Sequence, residues 1–180
     1  MAAPSAGFEL FHRPDAEVNA VEDLELRRLL LACFPYETSF FARRYVRMPP
    51  AHRWLVRAPS GELVAHAAAH DKIISAGGVE LRVGGIAEVC VAHSWRGRGL
   101  LRAMLAAAHE WMRSESIPFA MLFGQPKVYA SSGYKVIDNP ILAENALTQH
   151  LNPFKGKPMI HPLTSVRWPS GPVDLRGPTF

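Results

Sequence analysis

The sequence is poor in what several large protein classes require. It holds only two cysteines, Cys33 and Cys90, widely separated and outside any metal-type spacing. That argues against a disulfide scaffold or a cysteine-based zinc site, and it suits a reducing, cytoplasmic setting. No window approaches ~18 uninterrupted apolar residues, so no membrane-spanning helix and no membrane partner are expected. The opening stretch MAAPSAGFEL has neither a basic n-region nor a long apolar segment, so no signal peptide is expected. Long runs of one charge are missing too. The net charge is +4, and the densest basic groups are Arg43, Arg44 and Arg47, then Arg96 and Arg98. No basic stripe with interleaved aromatics appears, which argues against a nucleic-acid partner. The Arg43 group reads as a solvated face. Two anion-binding fingerprints are incomplete. GRGLLR lacks the third glycine of the dinucleotide fold, and no Gly-Lys-Ser/Thr of a P-loop occurs.

What is present is globular. Apolar residues make up 48% and charged residues 20% of 180 residues, which fits one domain, 1–180, with 158–180 as a C-terminal strand and tail. NAVEDLELRRLLLACF, 19–34, predicts a helix capped by Asn19, with Val21, Leu24, Leu30, Leu31 and Phe34 at three-to-four spacing. Strands are predicted at 53–58, 63–75 and 79–92, separated by the turns APSGE and AGG. Gly84-Gly85 inside the third strand signals a bulge or a close backbone approach. A helix over roughly 99–114 carries the apolar stripe Leu100, Leu101, Met104, Leu105, Ala108, Trp111 and Met112. A strand at 117–124, a short helix at 125–133 ending on Gly133, and strands at 134–138 and 158–167 complete an α/β (α+β) chain with a mixed sheet.

The stretch HSWRGRGLLRAML, 93–105, packs two arginines and two glycines ahead of a helix. A helix N-terminus offers unpaired N–H groups and about half a positive charge. Glycines there let a backbone come close to an anion. Taken alone, the stretch is either a pyrophosphate site or a tight turn with solvent-facing arginines.

VCVAHSWRGRGLLRAML resembles the acyl-CoA motif of the GNAT superfamily of N-acyltransferases, Arg/Gln-x-x-Gly-x-Gly/Ala after an apolar strand. Arg96 and Gly99 match, and Leu101 stands where Gly or Ala is usual. VYASSGY is similar to that family's Tyr-x-x-x-Gly-Phe/Tyr segment, with Tyr129 four residues before Gly133. The general resemblance covers about residues 53–138. The stretch from Leu63 to Gly97 is similar to aminoglycoside 2′-N-acetyltransferases. DLRGPTF resembles the Asp-x-Arg-Gly-like segment and final aromatic of those enzymes, and WPSGPVDLRGP resembles the nodulation N-acyltransferase. Pro178 and Thr179 replace the acidic residue expected before the terminal aromatic.

The resemblance implies a GNAT-like, mostly antiparallel mixed sheet flanked by helices. It implies an acetyl-CoA-dependent N-acetyltransferase acting directly on the primary amine of a small molecule, such as an amino sugar or aminoglycoside. A longer-chain acyltransferase and a non-catalytic acyl-CoA-binding module are the alternatives. By the same resemblance, Val89, Cys90 and Val91 hold the acetyl and pantetheine parts. The loop Arg96, Gly97, Arg98, Gly99, Leu100 and Leu101 holds the pyrophosphate. Tyr129 is the general acid. Glu88 is the candidate base, its alternative being a solvent-facing strand residue. Phe34, Tyr36, Trp168 and Phe180 are candidates for the acceptor pocket, with plain core packing as the alternative, and the loops at 35–52 and 139–157 would shape it. His66 and His70 are read on a strand and not as metal ligands, and no metal is expected. Cys90 is read as positioning through its backbone. The oligomeric state is open, a homodimer being one option.

Overall fold

In the computed structural model, residues 7–141 and 157–177 are described. The elements run β1 Glu9–Pro14, α1 Ala20–Cys33, β2 His52–Arg57, β3 Leu63–Ala76, β4 Val79–Val91, α2 Leu100–Ser114, β5 Phe119–Gly124, α3 Pro126–Tyr129, β6 Lys135–Val136, β7 Pro140–Ile141, β8 Lys157–Pro162 and β9 Val173–Asp174. The contacts divide into two compact units. The first comprises residues up to 69 together with 88–108, and the second comprises 70–87 and 109 onward.

In the first unit, β1 pairs antiparallel with β2 from Glu9↔Arg57 to Pro14↔His52. β2 pairs antiparallel with the first half of β3. Every residue from Leu63 to His70 is buried, which is why that strand reads as apolar without alternation. Helix α1 begins as its sequence predicts. Asn19 Oδ1 accepts from the N–H groups of Val21 (2.9 Å) and Glu22 (3.0 Å), and Glu22 Oε2 accepts from Asn19 N–H (3.4 Å). This reciprocal capping satisfies donors that helix geometry leaves open. The buried face of α1 is Glu22, Leu26, Leu29 and Leu30, packed with Phe40, Leu55, Leu63 and Cys90. Val21 and Leu24 point outward, 67% and 47% exposed, so the predicted stripe is rotated. Glu22 takes an inward place because Arg13 pairs with it at 2.8 Å.

In the second unit, β4 pairs parallel with β5 from Val83↔Phe119 to Ile86↔Leu122. β5 pairs antiparallel with β8, and β8 with β6. Strands β3 and β9 pair antiparallel, and β7 and β9 parallel. Ile74, Val83, Phe119, Met121, Ile160, Val173 and Leu175 form the core here. Gly84 marks a close approach: a Cβ there would lie 2.4 Å from Met112 Sδ. The β4–β5 register runs through Gly84 and Gly85 without a shift, and the close approach is the one of the two sequence readings seen at Gly84. Gly133 closes the short helical stretch with φ +88°, as a C′ glycine should. The strand predicted at 134–138 shrinks to Lys135–Val136, and that at 158–167 ends at Pro162, where Pro removes a ladder donor. The predicted helix 125–133 is a four-residue α turn continued by a 3-10 turn at 130–132. The mixed, mostly antiparallel sheet with flanking helices agrees with the fold class read from the sequence.

Candidate active site

The candidate site residues of the first unit gather where β4 leads into α2. Glu88 has φ +51°, a left-handed conformation that costs a β-strand residue about 1–2 kcal/mol. The kink turns its side chain inward, to 8% exposure, so Glu88 is not a solvent-facing strand residue. Its Oε1 accepts from Val46 N–H at 2.8 Å. Its Oε2 is buried and has no hydrogen bond, although Arg53 Nη1 lies 3.5 Å away. Burial pushes the Glu88 carboxyl up to about 7, against the pull of Arg53 and the Val46 N–H. A carboxyl that titrates near neutrality with one bare oxygen can take a proton.

The surrounding charges are paired with one another. Arg53 is fully buried on β2. It donates to Asp15 Oδ1 (2.6 Å), His66 Nε2 (2.9 Å) and Arg44 O (3.0 Å). Asp15 also takes two bonds from the Arg44 side chain, at 2.8 and 2.9 Å. Burial alone would raise the Asp15 carboxyl, but the bonds from Arg44 and Arg53 outweigh it and hold it low. Arg44 is therefore not the solvated cation its sequence neighbourhood suggests. It bridges Asp15 and Asp23. His66 is wholly buried, and burial, with Arg53 beside it, keeps its ring neutral. These residues were legible only as strand positions: Arg53 in RWLVR and His66 in HAAAH. Their signal was a polar side chain within an otherwise apolar strand.

Next along β4 come Val89, Cys90 and Val91. Cys90 is buried in the α1 core, with Cys33 packed against that core. The Cys90 thiol bonds to Cys33, which draws the Cys33 thiol down to about 7 with help from Arg96. The same bond, together with burial, pushes Cys90 up. A 3-10 turn, His93–Trp95, leads to the Arg-Gly-Arg-Gly stretch. Gly97 and Gly99 have φ +76° and +79°, and a Cβ on either would meet nothing within 4 Å. Both are thus required for conformation, and both border open space. The first α2 hydrogen bond joins Ala103 N–H to Gly99 O (3.0 Å), so the N–H groups just before it have no partner within the helix. Arg96 and Arg98 are exposed, Arg98 stacking on Trp95 at 4.4 Å. Leu100 is buried and anchors α2, while Leu101 is half-buried. An open, positively charged cradle of backbone N–H groups suits a pyrophosphate.

In the second unit, Tyr129 is half-buried, and its ring lies edge-on to Tyr134 at 6.0 Å. Gly124 makes room for that ring, since a Cβ there would lie 2.4 Å from Tyr129 Cε2. Tyr134 is buried and shares a 2.8 Å hydrogen bond with His109 Nε2. Of the acceptor-pocket candidates, Phe34 packs on Phe40 at 5.9 Å, and Tyr36 is 94% exposed. Trp168 packs edge-on to Phe119 and donates to Asn139 Oδ1 at 2.9 Å. Phe180 lies outside the described residues, as does most of the 139–157 loop. His66 and His70 are both on β3, and among the described residues no cluster of three potential metal ligands occurs. No helix among the described residues is long and apolar enough to cross a membrane.

A mixed sheet thus carries a glycine-rich helix start directly after a kinked strand. Residues 18–137 match the acetyltransferase (GNAT) domain family, and the chain belongs to that family. It is accordingly an acetyltransferase of the GNAT type. Similar solved structures show the same fold. A GNAT-family N-acetyltransferase (YhbS) from Escherichia coli, in complex with CoA, is 13% identical with a TM-score of 0.70, covering 98% of this chain and 93% of that one. An acyl-CoA N-acyltransferase from Pseudomonas aeruginosa is 15% identical with a TM-score of 0.60, covering 86% and 99%. A GNAT-family acetyltransferase from Staphylococcus aureus is 10% identical with a TM-score of 0.57, covering 87% and 99%. No curated protein matches the sequence.

Proposed function

We propose that the chain transfers the acetyl group of acetyl-CoA directly to the primary amine of a small cytoplasmic molecule, with Glu88 as the base. The observation that carries this reading is the bare, buried Oε2 of Glu88, on a carboxyl held at about 7, in the strand that leads to the glycine-rich helix start. An ammonium must lose a proton before its nitrogen can attack a thioester carbonyl. Glu88 accepts that proton. The new C–N bond forms, the C–S bond breaks, the departing thiolate takes a proton from the Tyr129 hydroxyl, and the second proton leaving the amide nitrogen restores that hydroxyl. Backbone N–H groups of Val89–Val91 serve the acetyl and pantetheine parts, and those of Gly97–Leu101 the pyrophosphate, with Arg96 and Arg98 adding charge. The role of Tyr129 rests on its motif, and its half-burial beside Gly124 suits a positioned hydroxyl. The resemblance of residues 63–97 and of the DLRGP ending to enzymes of amino sugars supports an amino sugar as acceptor.

The test is CoA release with a panel of amines that includes amino sugars and aminoglycosides, with acetyl-CoA as donor. Acetyl-CoA at ~100-fold excess over Kd should stabilise the fold by ~2.7 kcal/mol. Tyr129→Phe should lower kcat by ~10²-fold with little change in the KM for acetyl-CoA. A kcat within about threefold of wild type would reduce Tyr129 to a packing residue. Release of CoA with no amine of the panel, despite a melting shift, would favour a binding module.

A further inference from the structure

Arg53 sits beside the Glu88 carboxylate, yet one of the two hydrogens on its Nη1 goes to His66 and neither is bonded to Glu88. Nη1 sits 3.5 Å from Glu88 Oε2 without a hydrogen bond, and 2.9 Å from His66 Nε2 with one. A guanidinium can only donate, so Nε2 must offer its lone pair. In the neutral ring the hydrogen then belongs to Nδ1. That nitrogen lies 3.0 Å from the carbonyl oxygen of Glu88, to which it donates. The tautomer follows from the partners on both sides. One imidazole therefore does two things. It diverts Arg53 from the carboxylate, and it ties down the main chain at the left-handed residue.

We propose that His66 is a positioning residue for Glu88, keeping Oε2 free of Arg53 and holding the kink that turns the carboxylate inward. This rests on the reading of Glu88 as the base. The charged and titratable groups around Glu88 are Arg53 from β2, His66 from β3 and Asp15 from the turn after β1, with Arg44 behind Asp15 and Cys90 farther along β4. Asp15 and the Arg44 carbonyl fix the other side of the guanidinium, and the bond to His66 fixes the Nη1 side, with no Nη1 hydrogen bonded to Glu88 Oε2. Without the imidazole, Nη1 has one acceptor within reach, the bare carboxylate oxygen. A direct bond from Arg53 would stabilise the carboxylate and weaken it as a base.

The experiment follows the Glu88 carboxyl carbon by ¹³C NMR in protein labelled at glutamate Cδ, its signal assigned by its loss in Glu88→Gln. His66→Leu should lower the midpoint by about one pH unit or more. The acid limb of kcat/KM should move by the same amount, with the KM for acetyl-CoA unchanged. His66→Gln restores an acceptor for Arg53 and a donor for the carbonyl, and should return most of the shift. An unchanged or raised midpoint in a folded His66→Leu protein overturns the proposal. If that variant does not fold, ¹⁵N NMR of the wild-type imidazole decides. Nδ1 should carry the proton and Nε2 none, throughout the range in which Glu88 titrates. A proton on Nε2 there overturns the proposal. Failure of the underlying reading looks different: Glu88→Gln would keep the acid limb while the His66→Leu midpoint still moved.

Discussion

Around Glu88, side chains of Asp15, Arg44, Arg53 and His66 converge, and after they have paired one carboxylate oxygen is left over. Around His109 in the second unit, the pairing closes. His109 shares a 2.8 Å bond with Tyr134, stacks on His161 at 4.5 Å, and carries no formal charge in the fold. Burial and the neighbouring His161 lower its ring to about 3. Both clusters are buried and polar, but only the first keeps a charge-bearing group in want of a partner. A buried polar group that is satisfied specifies packing. One that is left wanting is where a proton or a substrate can act. Their pH signatures are opposite. Glu88 has a folded pKa above its unfolded one, so between about 4.5 and about 7 the folded state holds a proton the unfolded state lacks, and stability falls as pH rises. His109 has a folded value below its unfolded one, so its contribution is lost as pH falls from about 6.5 toward about 3.

The largest expected separation comes from Glu88→Gln. Gln keeps an oxygen for Val46 N–H but cannot take the proton. Its kcat/KM at neutral pH should drop by ~10²–10⁴-fold and its acid limb should flatten. The same variant should be more stable than wild type at pH 8, by about 2–3 kcal/mol, the gain fading toward pH 4.5. Urea titrations at the two pH values check this, and a variant less stable at pH 8 would contradict the burial of an unneutralised carboxylate. Tyr134→Phe is the counterpart in the closed cluster. It leaves His109 Nε2 without its 2.8 Å partner and should cost ~1–3 kcal/mol. Its pH–rate profile should stay that of wild type, and a displaced acid limb would mean the two clusters are not separate in function. The smallest effect is Asn19→Ala, which removes the bonds to Val21 and Glu22 at the start of α1. A loss of ~1 kcal/mol with unchanged kinetics is expected, and it provides the scale for an ordinary structural bond.

Local signals in the sequence were enough for most elements. Asn19 and Glu22 sit three apart as a cap requires, and the glycines at 97, 99 and 133 adopt the positive φ that their turns demand. What depended on distant partners was hidden. Glu22 buries itself because Arg13, on another element, neutralises it, and so the apolar stripe of α1 turned. Arg44 looked solvated because its partners, Asp15 and Asp23, stand far off in the chain. Glu88 was visible as the one carboxylate between Glu80 and Glu110, but its kink was not, since a left-handed glutamate leaves no mark in composition or period. The network that pins it joins β2, β3 and the turn after β1, a coincidence of registers that no single stretch encodes.

The bond between the two thiols has a practical consequence. It makes Cys33, which is half-buried and beside Arg96, the ionised partner near neutral pH, while Cys90 stays protonated and enclosed. Thiolate, not thiol, reacts with maleimides and iodoacetamides. A stoichiometric amount of such a reagent near pH 7 should therefore mark the wild-type protein at one position, with no cysteine engineering. The label would stand next to the arginine that opens the glycine-rich loop, where a fluorophore could report the arrival of the donor directly.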